Sequence, residues 1–158
     1  MSAPQVRERD VEALFTDGGL VVSGAYVWQQ SSSKAWIRMD LPVTGKKGTN
    51  LKIVITVNRF DPSLYSFALL LNNAFRVRGL DVNGSHRNKH TNREKWVGQT
   101  HKHKWTDQCG DRFAYTPSDI TAQDLQGQLA QFCSECGISY AATIAPFPLL
   151  QEELFNDL

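Results

Sequence analysis

Apolar and polar side chains alternate through most of the chain between residues 20 and 115, and a period of two is typical of half-buried strands. The clearest case is 35–41, where every second residue is apolar. Asn72-Asn73 separates two such segments and tolerates the positive φ of a tight hairpin. The pattern predicts strands over 20–30, 35–41, 51–57, 65–71, 74–82, 95–105 and 112–115.

The two ends of this β-rich region have helical patterns instead. Residues 2–17 read as a short capped helix that ends at Gly18-Gly19. Thr121–Asp124 resembles a capping box, apolar residues then recur at helical spacing over 125–136, and Gly137 is suited to end that helix. A last helical turn is predicted at Leu149–Phe155. The predicted fold is α+β: an N-terminal helix, a meander of about six or seven antiparallel strands, and a C-terminal helix packed on the sheet.

Length and composition change this picture little. A chain of 158 residues with 41% hydrophobic and 21% charged residues is expected to form a single domain over 1–158. No apolar run is long enough to span a membrane, and the polar start does not resemble a signal peptide, so a cytoplasmic protein is expected. Cys133 and Cys136 lie on the apolar face of the predicted helix, where buried free thiols are expected rather than zinc ligands.

Charge is unevenly distributed along the chain. Residues 86–104 hold six basic residues against the single acidic Glu94, and they also contain all four histidines of the protein. Residues 113–158 have six acidic residues and no Lys or Arg. The sequence therefore predicts a basic, histidine-rich centre and an acidic C-terminal third that could receive a protein partner.

The histidines are the strongest candidates for chemistry. His101 and His103 are two residues apart in a predicted strand, so their side chains are expected to point the same way. His86 or His90 in the preceding loop is expected within about 8 Å of one of them, a gap that one water or ligand atom can bridge. Such a set could perform acid–base catalysis, bind a divalent metal through three or four histidines, or be a set of polar side chains without chemistry.

Neighbouring residues point to phosphate and nucleic acid. Arg76 and Arg78 are expected on one face of the strand that leads into the histidine-rich loop, where they could bind a phosphate. Lys102, whose side chain is expected to point away from the histidine face, is a further candidate for phosphate binding. Trp96, within the basic segment, could stack on a base. Trp105 is expected to pack in the core. No Walker loop or dinucleotide-binding glycine motif is present, so no nucleotide cofactor is expected.

Several short motifs resemble an uncharacterised family of small bacterial proteins, a domain of unknown function. They lie within 51–115 and are Phe75–Arg78, Asn83–His86, His90–Asn92, His101–His103 and Tyr115. The resemblance implies no established activity, but it supports treating the histidines as one functional set. The order of elements is also similar to that of small ribonuclease toxins such as barnase, and this similarity concerns the fold alone.

These observations lead to one preferred hypothesis and two alternatives. The preferred hypothesis is a small ribonuclease-like or RNA-binding protein that needs no metal or other cofactor. In it His101 and His103 form the acid–base pair, His86 or His90 assists, and Arg76 and Arg78 bind phosphate. The first alternative is a divalent-metal-dependent enzyme that uses the same histidines. The second is a non-catalytic protein-interaction module.

Overall fold

The computed structural model describes residues 6–46, 49–82, 100–115 and 117–146 of the chain. Two helices in these ranges are α1 (Glu8–Asp17) and α2 (Leu125–Glu135). The strands are β1 (Leu20–Tyr26), β2 (Gln29–Gln30), β3 (Trp36–Val43), β4 (Leu51–Asn58), β5 (Tyr65–Leu71), β6 (Phe75–Val82), β7 (His101–Thr106), β8 (Gly110–Tyr115) and β9 (Ile138–Ile144). The predicted α+β fold, with one helix before and one helix after an antiparallel meander along the chain, is confirmed.

Strands β2 to β8 form one seven-stranded antiparallel sheet in which each strand pairs with the next along the chain. Consecutive antiparallel strands need only a tight turn between them, as between β5 and β6, although residues 83–100 separate β6 from β7. The turn between β5 and β6 is the predicted Asn72-Asn73 pair, and both residues have positive φ, 55° and 57°. These angles match a type I′ hairpin turn, whose twist suits the flanking strands.

The core lies between one face of this sheet and the two helices. In β3, β4 and β5 every second side chain is buried on that face, as the alternation predicts. Val11 of α1 and Phe132 of α2 belong to the same buried cluster, and the rings of Phe132 and Phe67 are 5.8 Å apart. The helices therefore cover one face of the sheet, and we call the opposite face the outer face.

A second, two-stranded sheet is a feature that the sequence pattern did not predict. Strands β1 and β9 pair in parallel, with Leu20 opposite Ile138 and Tyr26 opposite Ile144. The predicted strand 20–30 is therefore divided: its first part belongs to this small sheet, and β2 belongs to the large one. Parallel pairing joins segments that are distant along the chain, so no local pattern marks it.

The ends of α2 differ in one respect from the expectation. Asp124, not Thr121, is the N-cap, and its carboxylate accepts a hydrogen bond of 3.0 Å from the backbone N–H of Gly127. Thr121 instead accepts a hydrogen bond from the side chain of Gln131. Gly137 has the left-handed φ of 64° that follows a helix end, as predicted. The predicted turn at Leu149–Phe155 lies outside the described residues.

Cys133 and Cys136 are fully buried among the core residues, as their place on the apolar face predicts. Burial raises the pKa of the Cys133 thiol to about 12 and raises that of Cys136 well above its usual range. Both side chains therefore act as small neutral core residues at physiological pH. Neither α1 nor α2, the helices of the described ranges, is long and apolar enough to cross a membrane.

Candidate functional site

The pairing of β6 with β7 brings three polar side chains together on the outer face of the large sheet. His101 lies opposite Asp81, and His103 lies opposite Gly79, so both imidazoles project from the same side of the sheet. The prediction that His101 and His103 share a face is confirmed. Asp81 joins them because residues that lie opposite each other, or diagonally, on antiparallel strands are neighbours on one face.

One carboxylate oxygen is the centre of this cluster. Oδ2 of Asp81 lies 3.1 Å from Nε2 of His101 and 2.8 Å from Nε2 of His103. The two imidazole rings meet edge to face, with centroids 4.8 Å apart. The candidate ligand atoms of the three residues all lie within 4.8 Å of one another, and no other set of His, Cys, Asp or Glu in the described ranges meets the same criterion.

The cluster is more open at the aspartate than at the histidines. The side chains of His101 and His103 are 2% and 3% exposed, whereas the side chain of Asp81 is 28% exposed. A small molecule or ion would therefore meet Asp81 before either imidazole. This difference in exposure fits a site that binds a small ion or molecule at Asp81 better than a site in which a bulky group contacts the imidazole rings directly.

The local electrostatics set the charge of two members. Burial alone would raise the pKa of Asp81, but hydrogen bonds with His101 and His103 outweigh it and hold that pKa well below its usual range. Burial lowers the pKa of His103; the nearby Arg76 lowers it further, and together these effects outweigh the hydrogen bond to Asp81, which raises it. At neutral pH the site therefore offers an ionised carboxylate next to a neutral imidazole at His103.

Arg76 and Arg78 do not share a face, contrary to the prediction. Leu69 pairs with Arg78, whereas the next residue, Leu70, pairs with Arg76, so β6 has an extra residue at this point. This bulge interrupts the alternation of side chains. Arg78 consequently faces the helices, with its guanidinium carbon 4.9 Å from the ring centroid of Phe15.

Arg76 remains beside the histidines on the outer face. A methyl group at Gly79 would lie 3.4 Å from Cδ of Arg76 and 3.5 Å from Cβ of His103, so this glycine lies between the two side chains. The guanidinium donates a hydrogen bond of 3.0 Å to the backbone oxygen of Asp111. Its Nε also lies 3.8 Å from a carboxylate oxygen of Asp111, and the Arg76 side chain as a whole is 27% exposed.

Lys102, predicted to bind phosphate, is buried on the opposite face from the histidines and is unsuited to that role. Its exposure is 1%, and its ammonium lies 2.6 Å from a carboxylate oxygen of Asp119 and also contacts Glu135. Arg78 is similarly occupied: it contacts Glu12 of α1 and lies 3.5 Å from Glu135 of α2. These two cations connect the sheet to the helices, a role that the local sequence did not indicate.

The remaining predicted site residues have different outcomes. His86, His90 and Trp96 lie outside the described residues, so their predicted part in the site stays a prediction. Trp105 packs in the protein as expected: its ring meets that of Phe75 edge to face at 5.6 Å, and its indole N–H donates a hydrogen bond to the backbone oxygen of Val6.

Asp81 is the site residue that sequence reasoning did not identify. It directly follows apolar strand residues and precedes the sequence Val-Asn-Gly, so it reads locally as one polar position in an alternating strand. The sequence signal that could have identified Asp81 is that the predicted strands 74–82 and 95–105 are consecutive along the chain. Consecutive antiparallel strands pair, so their residues lie opposite one another. The register that aligns Asp81 with His101 depends on how the strands pair.

The fold and the site together define the class of this protein: an antiparallel sheet that holds a buried carboxylate–imidazole cluster on its outer face. The model of a family of unknown function, DUF6978, matches residues 12–138, and the chain belongs to this family. The predicted membership in an uncharacterised family is thereby confirmed, over a longer part of the chain than the motifs had indicated. No curated protein and no solved structure matched the chain.

Proposed function

We propose that this protein is a divalent-metal-dependent enzyme that acts on a phosphate-bearing substrate, with RNA as the substrate class. Asp81, His101 and His103 hold the metal, and Arg76 binds a phosphate of the substrate. The observation that carries the proposal is the position of one Asp81 oxygen, 3.1 and 2.8 Å from the two imidazole Nε2 atoms.

The two oxygen-to-nitrogen spacings agree with metal coordination. Bonds of about 2.0–2.2 Å from zinc to nitrogen and oxygen separate two ligands by about 3.0 Å at 90° and about 3.4 Å at the tetrahedral angle. The observed oxygen-to-nitrogen distances of 2.8 and 3.1 Å lie close to the first value. Two imidazoles and one carboxylate also form a common three-ligand set for Fe²⁺, Mn²⁺ and Zn²⁺ in sites that keep positions open for substrate.

The protonation states agree as well. Metal ligands must be deprotonated at the coordinating atom. The lowered pKa of Asp81 keeps its carboxylate ionised, and the lowered pKa of His103 keeps that imidazole neutral at physiological pH. Without a metal the proton of the neutral ring lies on Nε2, where it is donated to Asp81, so coordination through Nε2 would require this proton to move to Nδ1. A divalent ion held there would polarise a phosphoryl oxygen and lower the pKa of a bound water.

Acid–base catalysis without a metal, the hypothesis preferred from the sequence, has less support from this geometry. In a phosphoryl displacement the attacking and leaving oxygens lie roughly in line on opposite sides of phosphorus. A base and an acid must therefore reach opposite sides of the substrate. His101 and His103 instead direct their Nε2 atoms to the same oxygen of Asp81, and both rings are almost completely buried.

The substrate class rests on Arg76 and on the charge of the chain. Arg76 is the partly exposed cation beside His103, and a guanidinium is well suited to a phosphate. In the sequence, residues 86–99 between β6 and β7 hold four basic residues against the single acidic Glu94, which favours a polyanion such as RNA over a single small phosphate. Asp119 and Glu135 of the acidic C-terminal third pair with Lys102, so this proposal assigns them no protein partner. The proposed site of action is the cytoplasm.

Metal binding is tested first, by calorimetric titration of chelator-treated protein with Zn²⁺ and Mn²⁺. We expect one ion per chain, and we expect Asp81→Asn to weaken binding at least about 100-fold, because loss of an outer-shell partner alone costs about 10–100-fold. Asp40→Asn is the matched control, since Asp40 is also a strand aspartate, in an ion pair with Arg38. Failure of the wild type to bind either ion, or equal binding by Asp81→Asn, would refute the metal site.

The substrate class is tested with labelled RNA, with and without EDTA. We expect cleavage that EDTA abolishes and one divalent ion restores. Arg76→Ala should weaken RNA binding and reduce the salt dependence by about one unit, whereas Arg38→Ala on a distant part of the sheet should do neither. Cleavage unaffected by EDTA would favour the metal-independent hypothesis. Metal binding without any effect on RNA would contradict the substrate class alone.

A further inference from the structure

Strand β9 forms an edge of the small sheet. In the described parts of the chain it pairs with β1 alone. Ser139, Ala141 and Thr143 are exposed on one face, whereas Ile138 and Ile144 at its two ends are buried. The two end residues of β9 are therefore buried, whereas the residues between them are accessible on one face.

The backbone N–H and C=O groups of successive residues in a strand point to opposite sides, so the hydrogen bonds of a few residues show which groups of β9 point away from β1. Val21 exchanges two backbone hydrogen bonds of 2.8 Å with Thr44, so the odd-numbered residues of β1 face away from β9. Ala145 donates to the backbone oxygen of Tyr26, so the odd-numbered residues of β9 face β1. The backbone N–H and C=O groups of the even-numbered residues, 138, 140, 142 and 144, therefore point outward from the sheet.

The sequence of β9 does nothing to protect this edge. Its residues, Ile-Ser-Tyr-Ala-Ala-Thr-Ile, include no charged residue and no proline, and its register with β1 is continuous. Natural edge strands usually carry a lysine, a proline or a bulge that prevents pairing with another chain. The absence of these features from a strand of seven residues is typical of an edge that is used for pairing.

We propose that two copies of this chain form a symmetric dimer by antiparallel pairing of β9 with its copy. The two-fold axis passes beside Ala141, so that each Ala141 lies opposite its counterpart. This register is the one that pairs all seven residues of the strand. It sets even-numbered residues opposite even-numbered residues, so all the outward backbone groups of both copies exchange hydrogen bonds.

The side chains are complementary in the same register. Ile138 lies opposite Ile144 of the other copy, Ser139 opposite Thr143, and Tyr140 opposite Ala142. Ile–Ile and Ser–Thr are favourable cross-strand pairs, and a large ring facing a small methyl avoids crowding. Because these pairs are favourable, the sequence of β9 is complementary to an antiparallel copy of itself. For this reason the proposed partner is a second copy of this chain rather than a different protein.

The test uses charge at the two-fold axis. The proposal predicts that wild-type protein sediments with a mass near twice the 17.8 kDa of the chain. Ala141→Lys should be monomeric, because the two exposed ammonium groups would lie on adjacent strands about 5 Å apart at Cβ. Ala141→Glu should be monomeric for the same reason. An equimolar mixture of the two variants should recover the dimer as a heterodimer.

Ser23→Lys is the matched control. Ser23 is exposed, lies opposite Ala141 on β1, and is one strand further from the proposed axis. It should remain dimeric, and circular dichroism should show that all variants are folded. Monomeric wild type at about 100 μM, an Ala141→Lys variant that stays dimeric, or a mixture that fails to associate would each overturn the proposal.

Discussion

Lys102 and Arg78 show how single charged residues are accommodated in the apolar layer of this protein. Each is buried on the helix-facing side of the sheet, and each is met by a carboxylate from a helix, with Glu135 of α2 shared between them. Tyr115 donates a hydrogen bond of 2.8 Å to the same Glu135. Buried charges persist only when they are paired and hydrogen-bonded, so the group is expected to behave as a unit.

At this scale we predict that Lys102→Met lowers the free energy of unfolding by about 3–5 kcal/mol, because it leaves Glu135 largely buried without its main cation. Arg38→Met should cost about 1 kcal/mol or less, since both partners of the Arg38–Asp40 pair are well exposed. Urea denaturation measures both values. Similar losses for the two variants would show that the buried pair contributes no more than a surface one.

A second residue-scale prediction concerns Cys133. Its pKa is raised from the usual range to about 12 by burial, so the folded protein holds the thiol proton more tightly than the unfolded chain does. Stability from this group is complete below the unfolded pKa of about 8.5 and is lost as pH rises toward 12. The free energy of unfolding should fall between pH 9 and 11, and less steeply in Cys133→Ala. Equal slopes would contradict the prediction.

At the scale of the element, the β5–β6 hairpin is the part of the fold that the sequence specifies most fully. Two adjacent residues at its turn have positive φ, and asparagine tolerates that conformation better than most residues. The alternation of the flanking strands then fixes which side chains enter the core. The bulge near Arg76 is the exception, because the extra residue is visible only in the pairing of β6 with β5.

We predict opposite effects for two substitutions in this turn. Asn73→Gly should raise the free energy of unfolding by up to about 1 kcal/mol, because glycine adopts positive φ without strain. Asn73→Val should lower it by about 1–2 kcal/mol, since a branched side chain resists that conformation. Denaturant unfolding measures both. Equal effects from the two variants would show that residue 73 is not held at positive φ.

At the scale of the whole molecule, the small parallel sheet joins the two ends of the described chain. Strand β1 follows α1, and β9 follows α2, so their pairing connects segments more than one hundred residues apart. Gly137, between α2 and β9, lies against the end of α1. A methyl group there would come within 2.1 Å of the backbone oxygen of Phe15.

Gly137→Ala is therefore predicted to be far more damaging than Gly110→Ala. Both glycines have positive φ, 64° and 60°, so alanine costs about 1–2 kcal/mol at either position. At Gly110 the nearest atoms to a methyl group are 3.7 Å away, whereas at Gly137 the overlap with Phe15 should add about 1–3 kcal/mol. Thermal unfolding of the two variants compares them directly, and equal losses would show that the contact with α1 is unimportant.

The sequence by itself determined the local features of this protein. Alternation placed the strands and their buried faces, Asn72-Asn73 marked the hairpin, and the two-residue spacing put His101 and His103 on one face. Each of these follows from steric and hydrophobic preferences that act within a few residues of one another. The uncharacterised family could also be anticipated from short motifs, because motifs are local too.

The tertiary structure alone decided the features that depend on pairing between distant segments. The register of β6 with β7 brought Asp81 to the histidines, the bulge separated Arg76 from Arg78, and burial removed Lys102 from the predicted phosphate site. The β1–β9 pair had no local signal either. A one-residue change of register would alter every one of these contacts while leaving local propensities unchanged, and for that reason only the folded chain specifies them.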